Sequence, residues 1–311
     1  MTDTDEKKIA ILALHDGNLS QYWKFIEDGV DDSARQRGLA LDYYKPSVTG
    51  ESKVAAWQMS IIDKILSDGG VKAAGLALQD PGAGRGIIER FTAAGIPCVT
   101  FDTDVPDSQR AFFIGANNVA AGRTCAFTLA KNIAFKGKVA IDSPSFLVQS
   151  CVERIAGFRD AMGKYRDIEI AIQAGGSDRH EDIVKAAEEI CAIPDIAGIF
   201  TTTGGSAKAN ADILKRTGRS GKVILICVNV DANVRDGIRD GVIQMAIGQR
   251  PYSIGYRLAD YLGHISGYGL DTVMRGIPSS RIVDTGIHQV TKSNLDSYLS
   301  TLDRQREAGS A

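Results

Sequence analysis

Cysteine is scarce in this sequence, and its placement excludes the usual cysteine chemistry. The cysteines form no C-x-x-C pair and have no histidine at metal-ligand spacing, so neither a zinc site nor a redox pair is indicated. An odd number of cysteines cannot pair completely within one chain, which disfavours a fold that depends on disulfides. We expect small buried thiols at all five positions, Cys98, Cys125, Cys151, Cys191 and Cys227.

Long apolar runs and blocks of basic residues are also missing. No run approaches the roughly 20 apolar residues that a membrane-spanning helix needs. The polar start over 1–8 contains no apolar core of a signal peptide, so we expect either a cytoplasmic protein or a chain whose leader has been removed. A formal net charge of -2 without a Lys/Arg cluster argues against nucleic acid as a partner.

The glycine motifs of nucleotide-binding proteins and hydrolases are incomplete. Ile87 stands where a dinucleotide-binding loop starting at Gly82 needs its third glycine, and no phosphate-binding P-loop is present. Lys208 stands where the nucleophile elbow of a hydrolase needs glycine. We therefore expect no bound cofactor and interpret Gly82 to Gly86 as the start of a helix.

An enzyme is an alternative that the catalytic residue types do not favour. Asp102 and Glu153 could act as paired carboxylates, but Glu153 adjoins Arg154 on a predicted helix and would point differently. The four histidines lack the spacing of a metal site. We expect a protein that is not an enzyme and that holds no metal.

Apolar strands alternate with helices along the whole chain, in two series. The first begins with a strand at 8–14 and a helix at 20–37 that stops at Gly38, and the second begins after Asn117. Strand–helix alternation predicts parallel sheets with right-handed crossovers. The sequence therefore predicts an α/β protein of two similar doubly wound parallel-sheet lobes.

Polar and aromatic side chains cluster where the predicted strands end. Ligands of open α/β sheets bind beyond the carboxyl ends of strands. Acids, amides, a guanidinium and aromatic faces together suit a polyhydroxylated ligand. Taken singly, a tryptophan at the helical spacing of Trp23 is more often a core residue, and an arginine such as Arg154 is usually a solvated helix residue. His15 is about as typical of a packed loop as of a binding site. The candidate residues are His15, Asp16, Tyr22, Trp23, Asp102, Arg154, Thr203, Asn229 and Gln249.

Four blocks of the sequence resemble the ribose-binding type of periplasmic sugar-binding protein, whose fold is shared with the effector domains of lactose-repressor-type regulators. The resemblance extends from Lys8 to about Val290. The blocks are Tyr22 to Gly29, Gly95 to Asp102 ("GIPCVTFD"), Glu153 to Phe158 ("ERIAGF"), and Asp240-Gly241 with Ala246 to Tyr252.

The resemblance implies roles for particular residues. Tyr22 and Trp23 would sandwich a sugar, Asp102 and Arg154 would bind its hydroxyls, and Gln249 would bind it from a crossing between lobes. Asn229 replaces the family's usual aspartate. Thr103 replaces an arginine, and Ser177 and Thr203 replace an aromatic residue and an asparagine. These departures favour a different sugar, a polyol or an amino sugar over ribose.

The resemblance also implies a type I periplasmic binding protein whose lobes join through a three-segment hinge. We expect one lobe from 1–116 plus 250–284 and the other from 117–249 plus 285–311. Such a protein captures its ligand in the cleft between the lobes, works in the periplasm as a monomer, and delivers the ligand to the permease of an ABC transporter.

The effector half of a transcription regulator and a sugar-sensing receptor are the alternatives. A regulator would carry a helix-turn-helix ahead of the first strand, where only about seven residues stand. That alternative therefore requires a longer natural chain.

Overall fold

A computed structural model describes residues 8–309 of the chain. The polar start over 1–7, on which the expectation about a leader rests, lies outside the described residues. The chain divides into two compact units. Unit 1 comprises the described parts of 1–116, 250–285 and 302–311, and unit 2 comprises 117–249 and 286–301. The expected division assigns 285 and 302–309 to the second lobe, whereas the structure groups these residues with unit 1.

Strands and helices alternate along the chain from the first strand onward. The first stretch of unit 1 contains β1 (Lys8–Leu12), α1 (Gln21–Arg37), β2 (Leu41–Tyr44), α2 (Glu51–Asp68), β3 (Val71–Leu76), α3 (Pro81–Ala93), β4 (Cys98–Phe101) and β5 (Phe113–Gly115).

Unit 2 repeats this alternation. Its elements are α4 (Asn118–Asn132), β6 (Gly137–Ser143), α5 (Gln149–Met162), β7 (Ile168–Gly175), α6 (His180–Cys191), β8 (Ile196–Thr201), α7 (Gly204–Arg216), β9 (Ile224–Val228), α8 (Ala232–Arg239) and β10 (Met245–Gly248).

The last part of the chain contributes to both units. It contains α9 (Pro251–Tyr268), α10 (Leu270–Met274), β11 (Ile282–Asp284), β12 (His288–Val290) and α11 (Leu295–Gly309). Of these, α9, α10 and β11 lie in unit 1, and β12 lies in unit 2.

Each unit is built on a six-stranded sheet. The strand order is β11-β5-β4-β3-β1-β2 in unit 1 and β12-β10-β9-β8-β6-β7 in unit 2. All pairs in unit 1 are parallel, and in unit 2 only β12 runs antiparallel to its neighbour, β10. The predicted fold class, two similar doubly wound sheets, is confirmed.

Both faces of each sheet are buried, which explains why the central strands are almost uniformly apolar. Along β1, Ile9 and Ile11 pack in the cluster that contains residues of α1 and α9, whereas Ala10 and Leu12 pack with residues of α2 and α3. In unit 2 one cluster contains residues of α4 and α5, and the other contains residues of α6, α7 and α8.

Two helix pairs pack unusually closely because glycines face the neighbouring backbone. In unit 1 a Cβ atom on Gly29 of α1 would collide with the Tyr252 carbonyl oxygen, and one on Gly255 of α9 would collide with that of Ile26. In unit 2 Gly122 of α4 and Gly157 of α5 stand in the same reciprocal relation. The backbones of these helix pairs therefore touch where glycine is required.

Local signals set the helix ends. Gly38 ends α1 in the left-handed region, with φ of 62°. The Asp80 side chain caps α3 by accepting hydrogen bonds from the amides of Gly82 and Ala83, so the glycine cluster marks a helix start, as predicted. None of the helices within 8–309 combines the length and apolar character that a membrane crossing requires.

Candidate functional site

The two units carry a polar residue at the same structural position. Asp102 directly follows β4, and Asn229 directly follows β9. The Asp102 amide donates to the Ile114 carbonyl at 3.1 Å, and the Asn229 amide donates to the Ile247 carbonyl at 2.9 Å. Both residues have positive φ, 61° and 80°. Asp and Asn enter this left-handed region more readily than other non-glycine residues, and strained backbone of this kind is frequent at functional sites.

Asp102 is held by a tyrosine at the start of the first helix. The Tyr22 hydroxyl donates to Oδ1 of Asp102 at 2.6 Å. The Thr103 amide donates to the Phe101 carbonyl at 2.7 Å, which closes a tight turn around Asp102. Both Tyr22 and Asp102 are partly exposed. The unit 1 part of the predicted site therefore joins an acid and an aromatic hydroxyl.

Trp23 lies deeper than the sandwich role implies. Its side chain is 4% exposed and belongs to the core of unit 1. The ring makes edge contacts with Phe101, His15 and Tyr22, with ring centroids 6.0, 5.7 and 6.1 Å away. His15 is exposed. The structure thus joins three of the predicted residues through the edges of one indole ring, and a ligand contact by Trp23 itself stays a prediction.

Asp16 is an ionised turn residue. The Asn18 amide donates to its Oδ1 at 2.9 Å, and this hydrogen bond lowers the pKa of the Asp16 carboxyl. Nζ of Lys45 lies 3.5 Å from the same oxygen and 2.7 Å from Oε1 of Glu27. A negative charge is therefore fixed in the loop after β1.

Arg154 is a buried cation in unit 2. Its Nε donates to Oδ1 of Asn118 at 2.9 Å, and its Nη1 donates to the Thr202 carbonyl at 3.0 Å. Glu153, the adjacent acid, instead accepts hydrogen bonds from Asn118 and Gln149. Among the described residues no carboxylate lies within ion-pair distance of the Arg154 guanidinium.

That isolation has an energetic consequence. A guanidinium carries five N–H donors, and removing it from water is costly unless acceptors replace the water. The two neutral acceptors fix the orientation of Arg154 without neutralising its charge. The arrangement is suited to an electron-rich ligand that accepts the remaining hydrogen bonds.

The other predicted residues of unit 2 lie at the ends of neighbouring strands. Nε2 of Gln249 donates to Oδ1 of Asn229 at 2.8 Å, and the Gln249 carbonyl accepts from the Tyr298 hydroxyl at 3.2 Å. Thr203 precedes α7 with extended backbone and is partly exposed. It adjoins Thr202, which holds Arg154, so the structure brings Thr203 and Arg154 to the same strand end.

Sequence reasoning missed the residues that hold the candidates in place. Asn118 and Thr202 orient Arg154, and the Lys45 ammonium lies 3.5 Å from the Asp16 carboxylate. Asn118 begins a helix and is indistinguishable in sequence from an ordinary capping residue, so no signal identified it. Across 8–309 no group of three or more His, Cys, Asp or Glu side chains is placed to hold a metal ion.

A family model and curated relatives match most of the chain. The model of the periplasmic binding protein domain matches residues 9–267. The D-ribose/D-allose-binding protein of Pseudomonas aeruginosa is 22% identical over 246 residues, which cover 77% of this chain and 76% of that protein. The D-allose-binding periplasmic protein of Escherichia coli is 24% identical, with coverage of 75% and 77%.

A solved structure is similar over nearly the whole length. It is an ABC transporter solute binding protein from Burkholderia graminis in complex with D-arabinose, with a TM-score of 0.83 and 27% identity. The alignment covers 96% of this chain and 99% of that one.

Proposed function

Because this chain belongs to the periplasmic binding protein domain family, we propose that it is a solute-binding protein that captures a sugar or polyol and delivers it to the permease of an ABC transporter. The resemblance to the ribose-binding type drawn from the sequence is confirmed by the family match and by the relatives named for ribose and allose. The arabinose-bound relative supports a carbohydrate as the ligand class.

The buried Arg154 is the observation that carries the proposal. It is oriented by two neutral acceptors and has no carboxylate partner among the described residues, so it is suited to hydroxyl or ring oxygens. Sugar hydroxyls both donate and accept, which suits a set that contains carboxylates, amides and a guanidinium. The proposed ligand-binding residues are His15, Asp16, Tyr22, Trp23 and Asp102 of unit 1, and Arg154, Thr203, Asn229 and Gln249 of unit 2.

A thermal-shift screen over pentoses, hexoses, amino sugars and polyols tests the ligand class. A ligand that binds only the folded protein at one hundred times its Kd adds about 2.7 kcal/mol to the free energy of unfolding. We expect at least one carbohydrate to raise the melting temperature. No shift with any carbohydrate, together with a shift from an amino acid or a nucleoside, would contradict the sugar proposal.

Two arginines of α5 supply a matched pair of variants for that ligand. Arg154→Lys keeps the charge but loses the fork of donors, so we expect at least a tenfold weaker Kd. Arg159 is exposed and bonds only to Gln173 among the described residues, so Arg159→Lys should leave the Kd unchanged. Equal affinities in both variants would remove Arg154 from the site.

The remaining parts of the proposal concern chemistry, place and partners. We expect the bound sugar to be recovered unchanged after prolonged incubation, as NMR of the ligand would show, because the protein binds without catalysis.

We expect a monomer by light scattering, with and without ligand. The relatives support a periplasmic location, which fractionation of cells that produce the natural protein would test.

A further inference from the structure

A buried carboxyl in unit 2 lies outside the proposed ligand set. Asp142, near the end of β6, is 1% exposed. Nδ2 of Asn210 donates to its Oδ2 at 2.6 Å. Its other oxygen, Oδ1, has no hydrogen-bond partner within the described chain. A half-satisfied carboxylate in the core is costly, because burial penalises the charged form.

Two further polar atoms beside Asp142 are equally unsatisfied. Ser206 and Asn210 lie one turn apart on α7, and both are completely buried. Oγ of Ser206 and Oδ1 of Asn210 have no partner among the described residues. The Asn210 amide therefore donates to one oxygen of the acid while its own oxygen accepts nothing.

One proton added to the Asp142 carboxylate would supply hydrogen bonds for two of these unsatisfied atoms, Oδ1 of Asp142 and Oδ1 of Asn210. A carboxylic acid and a primary amide form two hydrogen bonds to each other when the acid is neutral, because the acid O–H donates to the amide oxygen while the amide N–H donates to the acid. The ionised acid can make only the second of these bonds. The hydrogen bond from Asn210 to Asp142 is already in place.

The charged groups around the acid do not oppose protonation. The Cys191 thiol, at the end of α6, is a titratable group whose pKa responds to the Asp142 charge. Burial chiefly raises the pKa of that thiol, Arg219 and Arg216 lower it, and Asp142 raises it. The charged residues of α7 pair elsewhere: Lys208 with Asp212, Lys215 with Asp240, and Arg216 with Glu188. No cation within the described residues forms an ion pair with Asp142.

The acid is connected to Arg154 through the neighbouring strand. The Asp142 carbonyl accepts from the Thr202 amide at 3.0 Å, and the Thr202 carbonyl accepts from Nη1 of Arg154 at 3.0 Å. The Thr202 hydroxyl also donates to Oγ of Ser143 at 2.8 Å. A change in the position of Asp142 therefore reaches the backbone that orients Arg154.

We propose that Asp142 is a proton-binding site: the neutral side chain pairs with the Asn210 amide through two hydrogen bonds, and ionisation breaks one and loosens the strand end that orients Arg154. Burial raises the pKa of Asp142 to about 6, against an ordinary value of 3.8, whereas the neighbouring Asn210 amide and Ser206 hydroxyl act in the opposite direction. The unfolded chain thus releases this proton at lower pH than the folded chain. The contribution of Asp142 to the free energy of unfolding is therefore fully present below pH 3.8. It falls as the pH rises from 3.8 to about 6, and it is lost above about pH 6.

Carbon-13 NMR of the aspartate carboxyl groups tests the site in the wild-type protein. We expect one buried carboxyl with a midpoint near pH 6, which is missing from the spectrum of Asp142→Asn. Asp167→Asn, a change at an exposed acid of the same unit, should leave that midpoint in place. A midpoint for Asp142 in the ordinary range, near pH 4, would overturn the proton-binding site.

Melting curves give a second measurement. Asn at 142 reproduces the donor and acceptor of the neutral acid, so Asp142→Asn should melt roughly 5–10 °C above the wild type at pH 7.5. The difference in melting temperature between Asp142→Asn and the wild type should decrease below pH 6 and vanish near pH 4. The melting temperature of Asp167→Asn relative to the wild type should show no such trend. A difference that is constant with pH would contradict the proposal.

The Nε–H resonance of Arg154, assigned by its loss in Arg154→Lys, tests the link to the strand end. In the wild type and in Asp167→Asn it should shift with the midpoint of Asp142, and in Asp142→Asn it should stay fixed. A titrating Asp142 with a stationary Arg154 resonance would refute the link. None of these measurements uses a sugar, so their outcome is independent of the proposed ligand.

Discussion

The side chain at 102 differs in charge from its counterpart at 229, although both residues have the same backbone conformation after equivalent strands. Asp102→Asn therefore tests the charge alone, since Asn tolerates the left-handed region and can still accept from Tyr22. Loss of a charge-assisted hydrogen bond should cost about 1.5–3 kcal/mol of binding, or roughly tenfold to 150-fold in Kd.

Calorimetric titration with the sugar found in the thermal-shift screen would measure this loss. Asp107→Asn, at an exposed acid of the same loop, is the control and should bind as the wild type does. The melting temperature of unliganded Asp102→Asn should stay close to that of the wild type. An unchanged Kd would exclude Asp102 as a ligand, and a large loss of stability would make it a structural acid.

The two tryptophans report on different places. The Trp23 ring contacts Tyr22 and His15, two proposed ligand residues, whereas Trp57 lies on α2 against the opposite face of the sheet. We expect sugar binding to change the tryptophan fluorescence in Trp57→Phe and to lose most of that change in Trp23→Phe. If the fluorescence change on sugar binding persists in Trp23→Phe and is lost in Trp57→Phe, Trp23 and its neighbours do not belong to the ligand site.

At the residue scale the sequence could predict positions but not partners. Asp102 and Asn229 were predictable because each is a polar residue that ends an apolar run. The hydrogen bonds of Arg154 were not, because Asn118 lies in a helix and Thr202 directly follows a strand, and only the fold brings the two together. Asp142 was missed because one acid in a strand has no periodic signal.

At the scale of single elements, α9 provides a matched pair of glycines. A methyl group on Gly255 would collide with the backbone of α1, whereas one on Gly267, in the same helix, would meet no atom within 4 Å. Gly255→Ala should therefore destabilise unit 1 by about 3 kcal/mol or more. Gly267→Ala should stabilise it by about 0.5–1 kcal/mol, because alanine loses less backbone entropy on folding.

Urea unfolding of both variants would test this contrast. The sign of the two effects is the sharper criterion, since both substitutions add the same methyl group to the same helix. If both glycines tolerate alanine equally, the close approach of α1 and α9 is not required for stability.

The strands and helices that could be predicted from the sequence are those long enough to show a periodic pattern of apolar residues. Buried parallel strands and helices that stop at glycine were predictable over most of the chain. β11 and β12 have three residues each, which is too short to show alternation, and the sequence did not indicate them. The antiparallel direction of β12 depends on pairing with β10 and has no local signal.

At the scale of the whole molecule, the two series of elements in the sequence became two sheets with equivalent strand order. This level of the fold was predictable because alternation and element length are enough to imply parallel crossovers. The exchange of chain segments between units was implied by the resemblance, because composition gives no sign that residues after 249 return to the first unit.

The reciprocal glycine pairs differ in how far apart they lie along the chain. Tyr252 of α9 bonds to Asp32 of α1 across 220 residues, whereas Arg154 of α5 bonds to Asn118 of α4 across 36. Contacts between distant residues close larger loops and form later in folding. During synthesis α1 can pack against α9 only after most of the chain has been made, whereas α4 can pack against α5 as soon as the next helix has been made. Pulsed hydrogen exchange during refolding should therefore protect the amides of α4 and α5 before those of α1 and α9, so that the later half of the sequence folds ahead of its beginning.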